Sequence, residues 1–502
     1  MKMTKKIDYK KIKTKVLRQL FPNKMFNTKP TWHQLVTFCF AMDMNRRRVY
    51  LVHDIGTGKT YTSLCLAQLY KGKRILAIVP NSTIYKTWVP QIKEHTNLTF
   101  CVLEGKAKQR KKSIKHTKAD IFIINYEGLR WVFGKKKLTG KRIKRSQFVI
   151  DPKAFMGHFD TLIIDEAHQL KSFNSIQTQI AATLSAHAKN VIAMSGTPYG
   201  SGLEDLWGQY WVLNQGQSLG YDFKEFQQRY FDPIRKGSTS GWGRQWCVWE
   251  PKKKAKERLL NKVAHCTIRF DREECWDIPE ATYEVRTAKP TKKQIKLINK
   301  LIANPTKNPL NAGLRITQIL GGHLPNKEKG MMNIFHTPKL DLLLEVLQET
   351  KEKVVVFHKF VEEGRSIERF LKKHGITFRS LRGEIKNKDQ NYRDFRRKKN
   401  IRVLIAHPKC GGVGINLPEA SIAIFFSNAT RKSVIIRKQA EGRILRPEQK
   451  KKCVFIDLLL KGTLDEIIHH SITHNKEVER DVLSYMCSII HSTEGSRKEK
   501  TK

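Results

Sequence analysis

The feature that most constrains this chain is a series of short apolar runs with helical patterns between them. In the N-terminal half they read "VYLVHD" at 49–54, "ILAIVP" at 75–80, "IFIINY" at 121–126, "TLIIDE" at 161–166 and "VIAMSG" at 191–196. A second set follows: "VVVFHK" at 354–359, "VLIAH" at 403–407, "IAIFFS" at 422–427 and "VFIDLL" at 454–459. Runs this short, apolar without alternation and closed by polar or Gly/Pro residues, suit strands buried on both faces of a parallel sheet. Two doubly wound α/β domains are therefore expected. Between the sets, over about 205–340, the chain is richer in Trp, Lys and helical periodicity and carries the Gly/Ser loop "RKGSTSGWG". That stretch is read as a mostly helical insertion and linker. The length of 502 residues accommodates two large domains plus connections at roughly 100–200 residues per domain.

The chemistry is expected at the ends of these strands. The first run leads into "HDIGTGKT", residues 53–60. A strand, a glycine-bearing turn and then Lys-Thr opening a helix is the arrangement that points backbone N–H groups at phosphate oxygens. Gly56 and Gly58 let the backbone approach closely, Lys59 reaches the β- and γ-phosphates, and Thr60 holds Mg²⁺. The general phosphate-loop pattern has a glycine where this chain has His53, so the loop alone leaves the reading open. "TLIIDEAH" then puts Asp165 and Glu166 at the carboxyl end of another buried strand, where α/β sheets place their ligands. Phosphoryl transfer to water needs a carboxylate for the metal and a second group to position the nucleophile, roles that suit Asp165 and Glu166 in turn. In the second half, "QAEGRILRPEQ" carries Gln439, Arg443 and Arg446, with the two arginines one helical turn apart on one face. Arginine reaching a γ-phosphate from a separate domain stabilises transition-state charge and ties hydrolysis to domain closure.

Charge points to the partner. Lys+Arg number 95 against Asp+Glu 46, a net +49 spread along the chain. A field of that sign favours polyanions, nucleic acid foremost. The basic stretch "GKKKLTGKRIKRSQF" (134–148), which includes Lys136 and Arg142, is read as a hairpin or loop against flanking duplex. "GWGRQWCVWEPKKKAKERL" (241–259) sets Trp242, Trp246 and Trp249 beside lysines, either packed on the helical insertion or stacked on bases. The nine cysteines include no C-x-x-C pair, which suits reduced thiols. No apolar run approaches the roughly 20 residues that span a bilayer. The basic N-terminus lacks a signal-peptide core, and its Ile12, Val16, Leu20 and Phe21 suggest a docked amphipathic helix. A soluble intracellular protein is expected, cytoplasmic in a prokaryotic or virus-infected cell or nuclear in a eukaryote, with no membrane partner.

With these motifs in view, the chain resembles superfamily 2 helicases, specifically the Swi/Snf-like DNA translocases, from about Pro30 to Leu483 and in that family's order. "TWHQ" with Gln34 resembles the adenine-contacting segment. "DIGTGKT" resembles the family's D-x-G-x-G-K-T, which adds Asp54 and Thr57 to the nucleotide-binding residues and does not require the early glycine. "ILAIVPNSTIYKTW" and "IFIINYEGLR" resemble segments that touch nucleic acid, which implicates Pro80, Asn81, Asn125 and Tyr126. "DEAHQLKS" resembles the DEAH box, and "SGTPYGSGLEDLW" a coupling motif with Ser195, Gly196 and Thr197. "TPKLDLLLEVL" resembles the entry to the second domain. "FHKF" and "KCGGVGINLPEA" resemble strand-tracking loops and implicate His358, Lys359, Gly411, Gly412, Gly414 and Asn416. The last motif departs from the family's R-x-H-R-x-G-Q: here it is "RILRPEQ", closer to other superfamily 2 duplex translocases. No histone-reading appendage is evident, so compact viral or bacterial representatives are the better likeness.

The resemblance implies two RecA-like domains: a basic N-terminal helix at 1–24, domain 1 at 25–204, the insertion at 205–337, domain 2 at 338–485 and a basic tail at 486–502. It implies ATP with Mg²⁺, and DNA (duplex or branched, with little sequence preference) as the partner of a monomeric motor. An RNA helicase or transcription-linked ATPase, the motor of a restriction system and a non-catalytic scaffold are the alternatives. The intact Lys59, Asp165, Glu166, Arg443 and Arg446 speak against a decayed motor.

Overall fold

The uninterrupted apolar runs form the interiors of two parallel sheets, one in each of two units, Met1–Trp276 and Asp277–Lys502. The computed structural model describes residues 8–136, 148–150, 159–198, 202–236, 246–277, 279–303, 309–325, 332–385, 387–408, 416–428, 433–474, 478 and 482. In the first unit the strands are β1 (Arg48–His53), β2 (Ile75–Val79), β3 (Phe100–Val102) and β4 (Ile121–Asn125), then the ribbon of β5 (Gly134–Lys136) and β6 (Phe148–Ile150). They continue with β7 (Thr161–Asp165), β8 (Asn190–Met194), the ribbon of β9 (Phe231–Lys236) and β10 (Trp246–Pro251), and β11 (Thr267–Phe270). The seven-stranded sheet runs β11-β1-β8-β7-β2-β4-β3 with every pair parallel.

Successive residues of a strand point to opposite faces. Here both faces are apolar. Leu76, Ile78, Phe122, Ile124, Leu162 and Ile164 enter one core, while Ile75, Ala77, Val79, Ile121, Ile123 and Ile163 enter the other. That two-sided burial is why these runs do not alternate in sequence. It also places β1, β8 and β7 side by side, so their carboxyl ends bring residues 53–60, 195–197 and 165–166 to one edge of the sheet.

The second unit repeats the scheme. Its strands are β12 (Ala281–Ala288), the ribbon of β13 (His323–Pro325) and β14 (Met332–Ile334), β15 (Val354–Phe357), β16 (Phe378–Leu381), β17 (Val403–Ala406), β18 (Ile422–Phe425) and β19 (Cys453–Leu460). Six of them form an all-parallel sheet in the order β12-β19-β18-β15-β17-β16.

The stretch read as one helical insertion, 205–337, is divided between the two units. Helices Asp205–Asn214, Phe223–Tyr230 and Ala255–Val263 bury Leu206, Trp207, Tyr210, Phe226 and Leu259 in the first core. β11 then pairs along β1 from Tyr50↔Thr267 to His53↔Phe270. Helices Lys292–Ala303 and Pro309–Leu320 belong to the second unit, where β12 pairs with β19 over its whole length. The physical reason is backbone pairing: each end of the stretch supplies an edge strand to a different sheet. Trp249 packs half-buried against the first core, while Trp242 lies outside the described residues.

The N-terminal helix, Thr14–Leu20, docks on a different face from the one its periodicity suggested. Leu17 and Phe21 are buried and Ile12 packs beside them, whereas Val16 and Leu20 are exposed. The terminal tail, 486–502, lies outside the described residues, and no helix among the described residues is long and apolar enough to cross a membrane.

A buried ion network ties two strands of the second sheet to the helix Ser433–Glu441. The Arg437 guanidinium lies 3.4 Å from the Phe425 ring centroid, donates to Asp457 at 2.7 Å and to Glu441 at 2.6 Å. Asn428 donates to the same Asp457 oxygen at 2.8 Å. Burial alone raises a carboxyl pKa, but the Arg437 charge and these hydrogen bonds hold Asp457 well below the usual range. Removing one partner of such a pair leaves a buried, uncompensated charge, at a cost of about 3–5 kcal/mol. Asp457→Ala is expected to speed amide exchange across β18 and β19 by about a hundredfold or more. Unchanged exchange in those strands contradicts this role.

Candidate active site

The phosphate loop leaves β1 at His53 and enters the helix Lys59–Leu69. Gly56 (φ 89°) and Gly58 (φ 78°) take the left-handed conformation that glycine adopts without steric cost. At Gly58 space also demands glycine, since a Cβ there meets Gln34 Nε2 at 2.7 Å. Gln34, on the helix Trp32–Met42, is buried and accepts from its own cap at Thr31 N, 2.8 Å away.

Every carbonyl of the loop is occupied. Lys59 Nζ donates to His53 O and Asp54 O, both at 2.9 Å, and Thr57 Oγ1 also donates to Asp54 O at 2.8 Å. Arg272 Nε donates to Ile55 O at 3.1 Å, Trp276 Nε1 to Gly56 O at 3.2 Å and His33 Nε2 to Thr57 O at 2.8 Å. Gly58 O accepts from Thr62 N at 3.0 Å. In a planar trans peptide the N–H points opposite to the C=O that precedes it. Tying back the carbonyls of Ile55, Gly56 and Thr57 therefore turns the N–H groups of Gly56, Thr57 and Gly58 the other way, and these donate to no acceptor among the described residues. Three such N–H groups at the start of a helix form an anion cradle, which fits a triphosphate.

The acid pair stands two strands away, at the end of β7. Asp165 is buried and accepts from Trp88 Nε1 at 3.0 Å. Burial and the neighbouring Glu166 charge push its carboxyl up to about 6, against the pull of Trp88 and Lys59. Burial acts on Glu166 in the same sense, but the His168 hydrogen bond and charge outweigh it and hold Glu166 below its ordinary value. Glu166 itself sits at φ 52°, a left-handed conformation unfavourable for a residue with a side chain. His168 Nδ1 lies 3.2 Å from Glu166 Oε2 and 3.1 Å from Ser195 Oγ, and Ser195 Oγ accepts from Thr197 N at 3.1 Å. Gly196 presses against the phosphate loop, since a Cβ there meets Ile55 Cγ1 at 3.2 Å. The three expected coupling residues thus connect the acid pair to the phosphate loop through one short chain of contacts.

The expected nucleic-acid contacts divide. Pro80, Asn81 and Asn125 gather at the ends of adjacent β2 and β4, where Asn125 Nδ2 donates to Asn81 Oδ1 at 3.4 Å and to Glu127 at 3.1 Å. Tyr126 does not join them: it is buried, and its hydroxyl donates to the carbonyls of Asp165 and Glu166. Its aromatic body belongs to the core, which leaves only the hydroxyl for polar work. Lys136 lies in β5, which pairs with β6 as an antiparallel stem, and Arg142 lies outside the described residues.

In the second unit His358 also turns inward. It is buried, donates from Nδ1 to Phe360 O at 2.8 Å, and burial pushes its pKa down to about 3. Lys359 is pushed down to about 8, first by burial, while its backbone N–H donates to Glu363 and Ser427. Asn416 O accepts from Tyr392 at 2.6 Å, and Gly411, Gly412 and Gly414 lie outside the described residues. Gln439 is on the helix Ser433–Glu441, which stops before Gly442. Arg443 and Arg446 therefore lie in the turns that follow and not on a shared helical face. Arg443 bridges two points of the chain: its Nη2 donates to Pro408 O at 2.8 Å and its O accepts from Leu417 N at 2.8 Å.

A phosphate loop and an Asp-Glu pair at the ends of two parallel strands of one sheet, with β8 between them, followed in the chain by a second parallel-sheet unit, have the organisation of a nucleoside-triphosphatase of the helicase class. Residues 33–340 match the SNF2-related domain and residues 338–448 the helicase conserved C-terminal domain. The chain belongs to the SNF2-related family and is a nucleic-acid-dependent ATPase. It is 27% identical over 500 residues to a putative protein p41 of Acyrthosiphon pisum secondary endosymbiont phage 1, covering 92% of this chain and 99% of that one. It is 27% identical over 343 residues to the DNA repair and recombination protein RDH54 of Saccharomyces cerevisiae, covering 62% of this chain but only 36% of the yeast protein. Among solved structures, the Sulfolobus solfataricus SWI2/SNF2 ATPase core in complex with dsDNA aligns at 22% identity and a TM-score of 0.42, with coverage of 96% and 98%.

Sequence reasoning missed His33, Trp276 and Arg272 as holders of the loop, and Tyr126 as a buttress of the acid pair. The Tyr126 hydroxyl fixes two carbonyls beside a left-handed Glu166, so its loss should misplace that carboxylate and leave nucleotide binding alone. Tyr126→Phe is expected to lower kcat about tenfold, consistent with about 1–1.5 kcal/mol for one buried hydrogen bond, with KM for ATP nearly unchanged. A wild-type kcat contradicts the buttress.

Proposed function

We propose that this protein is an ATP-driven translocase on duplex or branched DNA, acting in replication, recombination or repair as a monomer. The observation that carries the reading is the outward-facing N–H cradle of Gly56–Gly58 on the same sheet edge as the buried Asp165 and half-buried Glu166. DNA as the track is supported by the net charge of +49, by the lysine-bearing β5/β6 ribbon, and by the likeness to the yeast repair and recombination protein.

In this mechanism the cradle and Lys59 take the β- and γ-phosphates, and Gln34 lies beside Gly58 where a base would be sensed. Thr60 and Asp165 would hold Mg²⁺, which neutralises charge developing on the phosphates. Glu166, ionised and oriented by His168, positions water for attack on the γ-phosphorus and accepts its proton as the bond to the bridging oxygen breaks. Arg443 and Arg446 are the candidate γ-phosphate arginines of the second unit, and Gln439 its candidate hydrogen-bonding side chain. The His168–Ser195–Thr197 contacts pass the state of the acid pair to the phosphate loop. Pro80, Asn81 and Asn125 grip the backbone of one strand without reading sequence, and Lys359 and Asn416, with the 411–414 glycines, do so from the second unit.

Lys59→Ala and Glu166→Gln are expected to abolish DNA-stimulated ATP hydrolysis while leaving DNA affinity within about threefold, because backbone contacts dominate nucleic-acid affinity. Stimulation should be strongest with duplex DNA, weaker with single strands and least with RNA. Full turnover in either variant, or stimulation by RNA alone, contradicts the proposal.

A further inference from the structure

The phosphate loop is held from outside by a short segment that ends the first unit. β11 lies along β1, Asp54 N donates to Phe270 O at 2.9 Å, and the turn of helix Arg272–Cys275 then brings Arg272 and Trp276 over the loop. Arg272 is 5% exposed. One edge of its guanidinium donates to Ile55 O, and Nη2 meets Asp54 Oδ2 at 3.3 Å. Trp276 meets the His33 ring edge-on, with centroids 5.4 Å apart, while its N–H reaches Gly56 O.

Burying a guanidinium costs several kcal/mol before pairing, and a packed apolar side chain is often as stable. Stability alone is therefore a weak reason for this arginine. Its planar fork instead fixes a carboxylate and a carbonyl together. Through the planar peptide it sets the direction of the Gly56 N–H, and Trp276 does the same for the Thr57 N–H. Arg272 also neutralises Asp54, whose carboxylate would otherwise oppose the negative charge of an incoming triphosphate.

We propose that Arg272 and Trp276 are positioning residues for the nucleotide: they hold the phosphate loop in its anion-binding form and mask the Asp54 charge. The proposal rests on the ATPase reading and deepens it. Trp276 is the last residue of the first unit, so the chain leaves for the second unit directly from a side chain bonded to the phosphate loop.

The test measures ATP hydrolysis at saturating DNA, binding of a fluorescent ATP analogue, and thermal melting for four variants. Trp276→Phe keeps the ring and removes the N–H; Arg272→Met keeps much of the stem and removes the charge. Each is expected to raise KM and the analogue's Kd, by about tenfold for Arg272→Met and about threefold for Trp276→Phe, with kcat within about twofold. Arg272→Lys, which keeps the charge without the fork, should fall between wild type and Arg272→Met. Adding Asp54→Asn to Arg272→Met should recover part of the lost affinity, a rescue that general loss of packing does not give. Wild-type KM and Kd in both Arg272→Met and Trp276→Phe overturn the proposal. So does a lowered melting temperature with equal loss of kcat and DNA binding and no rescue by Asp54→Asn. A wild-type protein that neither binds the analogue nor hydrolyses ATP refutes the ATPase reading itself, which separates the two failures.

Discussion

The structure of the first unit turns on one set of contacts: each carbonyl from His53 to Gly58 accepts a hydrogen bond. A loop with two glycines at its centre has little conformational preference of its own. The N–H groups of Gly56, Thr57 and Gly58 face away from the protein because Arg272, Trp276 and His33 take the carbonyl side of each preceding peptide. The sheet makes this possible by pairing β1 with β8 on one side and β11 on the other. The former brings Gly196 against the loop; the latter brings Arg272. Helix Trp32–Met42 supplies His33 and Gln34. Nucleotide chemistry therefore depends on elements drawn from both ends of the unit.

A second set of contacts joins the acid pair to its surroundings. Tyr126 begins the helix after β4, whose last residue, Asn125, belongs to the surface facing Asn81. The same residue pair thus puts one side chain outward and the next inward onto the Asp165 and Glu166 carbonyls. A backbone shift at Asn125 has a direct mechanical route to the backbone of Asp165 and Glu166. Arg443 has a comparable double attachment in the second unit, where it ties Pro408 to Leu417.

What the sequence disclosed follows from burial. All nine apolar runs became strands, and each occupies an interior position of its sheet. Within the two parallel sheets the strands left unrecognised were β3, β11, β12 and β16, the outermost strand on each side of both. An edge strand has less to bury: "ATYEVRTA" in β12 mixes polar residues throughout, with Tyr283 and Val285 exposed. Missing β11 and β12 made 205–337 read as one helical insertion. The site divides in the same way. The placement of Lys59, Asp165 and Glu166 at one edge of the sheet was legible because each lies at or just beyond the end of a buried strand. Tyr126 and His358 were read as nucleic-acid contacts, yet both rings are buried, and each spends a polar atom on a backbone carbonyl. Arg272 and Trp276 lie 217 and 220 residues from the loop atoms they hold. No local pattern marks them.

The central claim is that hydrolysis in this chain moves it along DNA, and displacement of a third strand from a DNA triplex measures that most directly. The account predicts ATP-dependent displacement from a duplex track, none with a non-hydrolysable analogue and none with Lys59→Ala. Brisk DNA-stimulated hydrolysis without any displacement contradicts it.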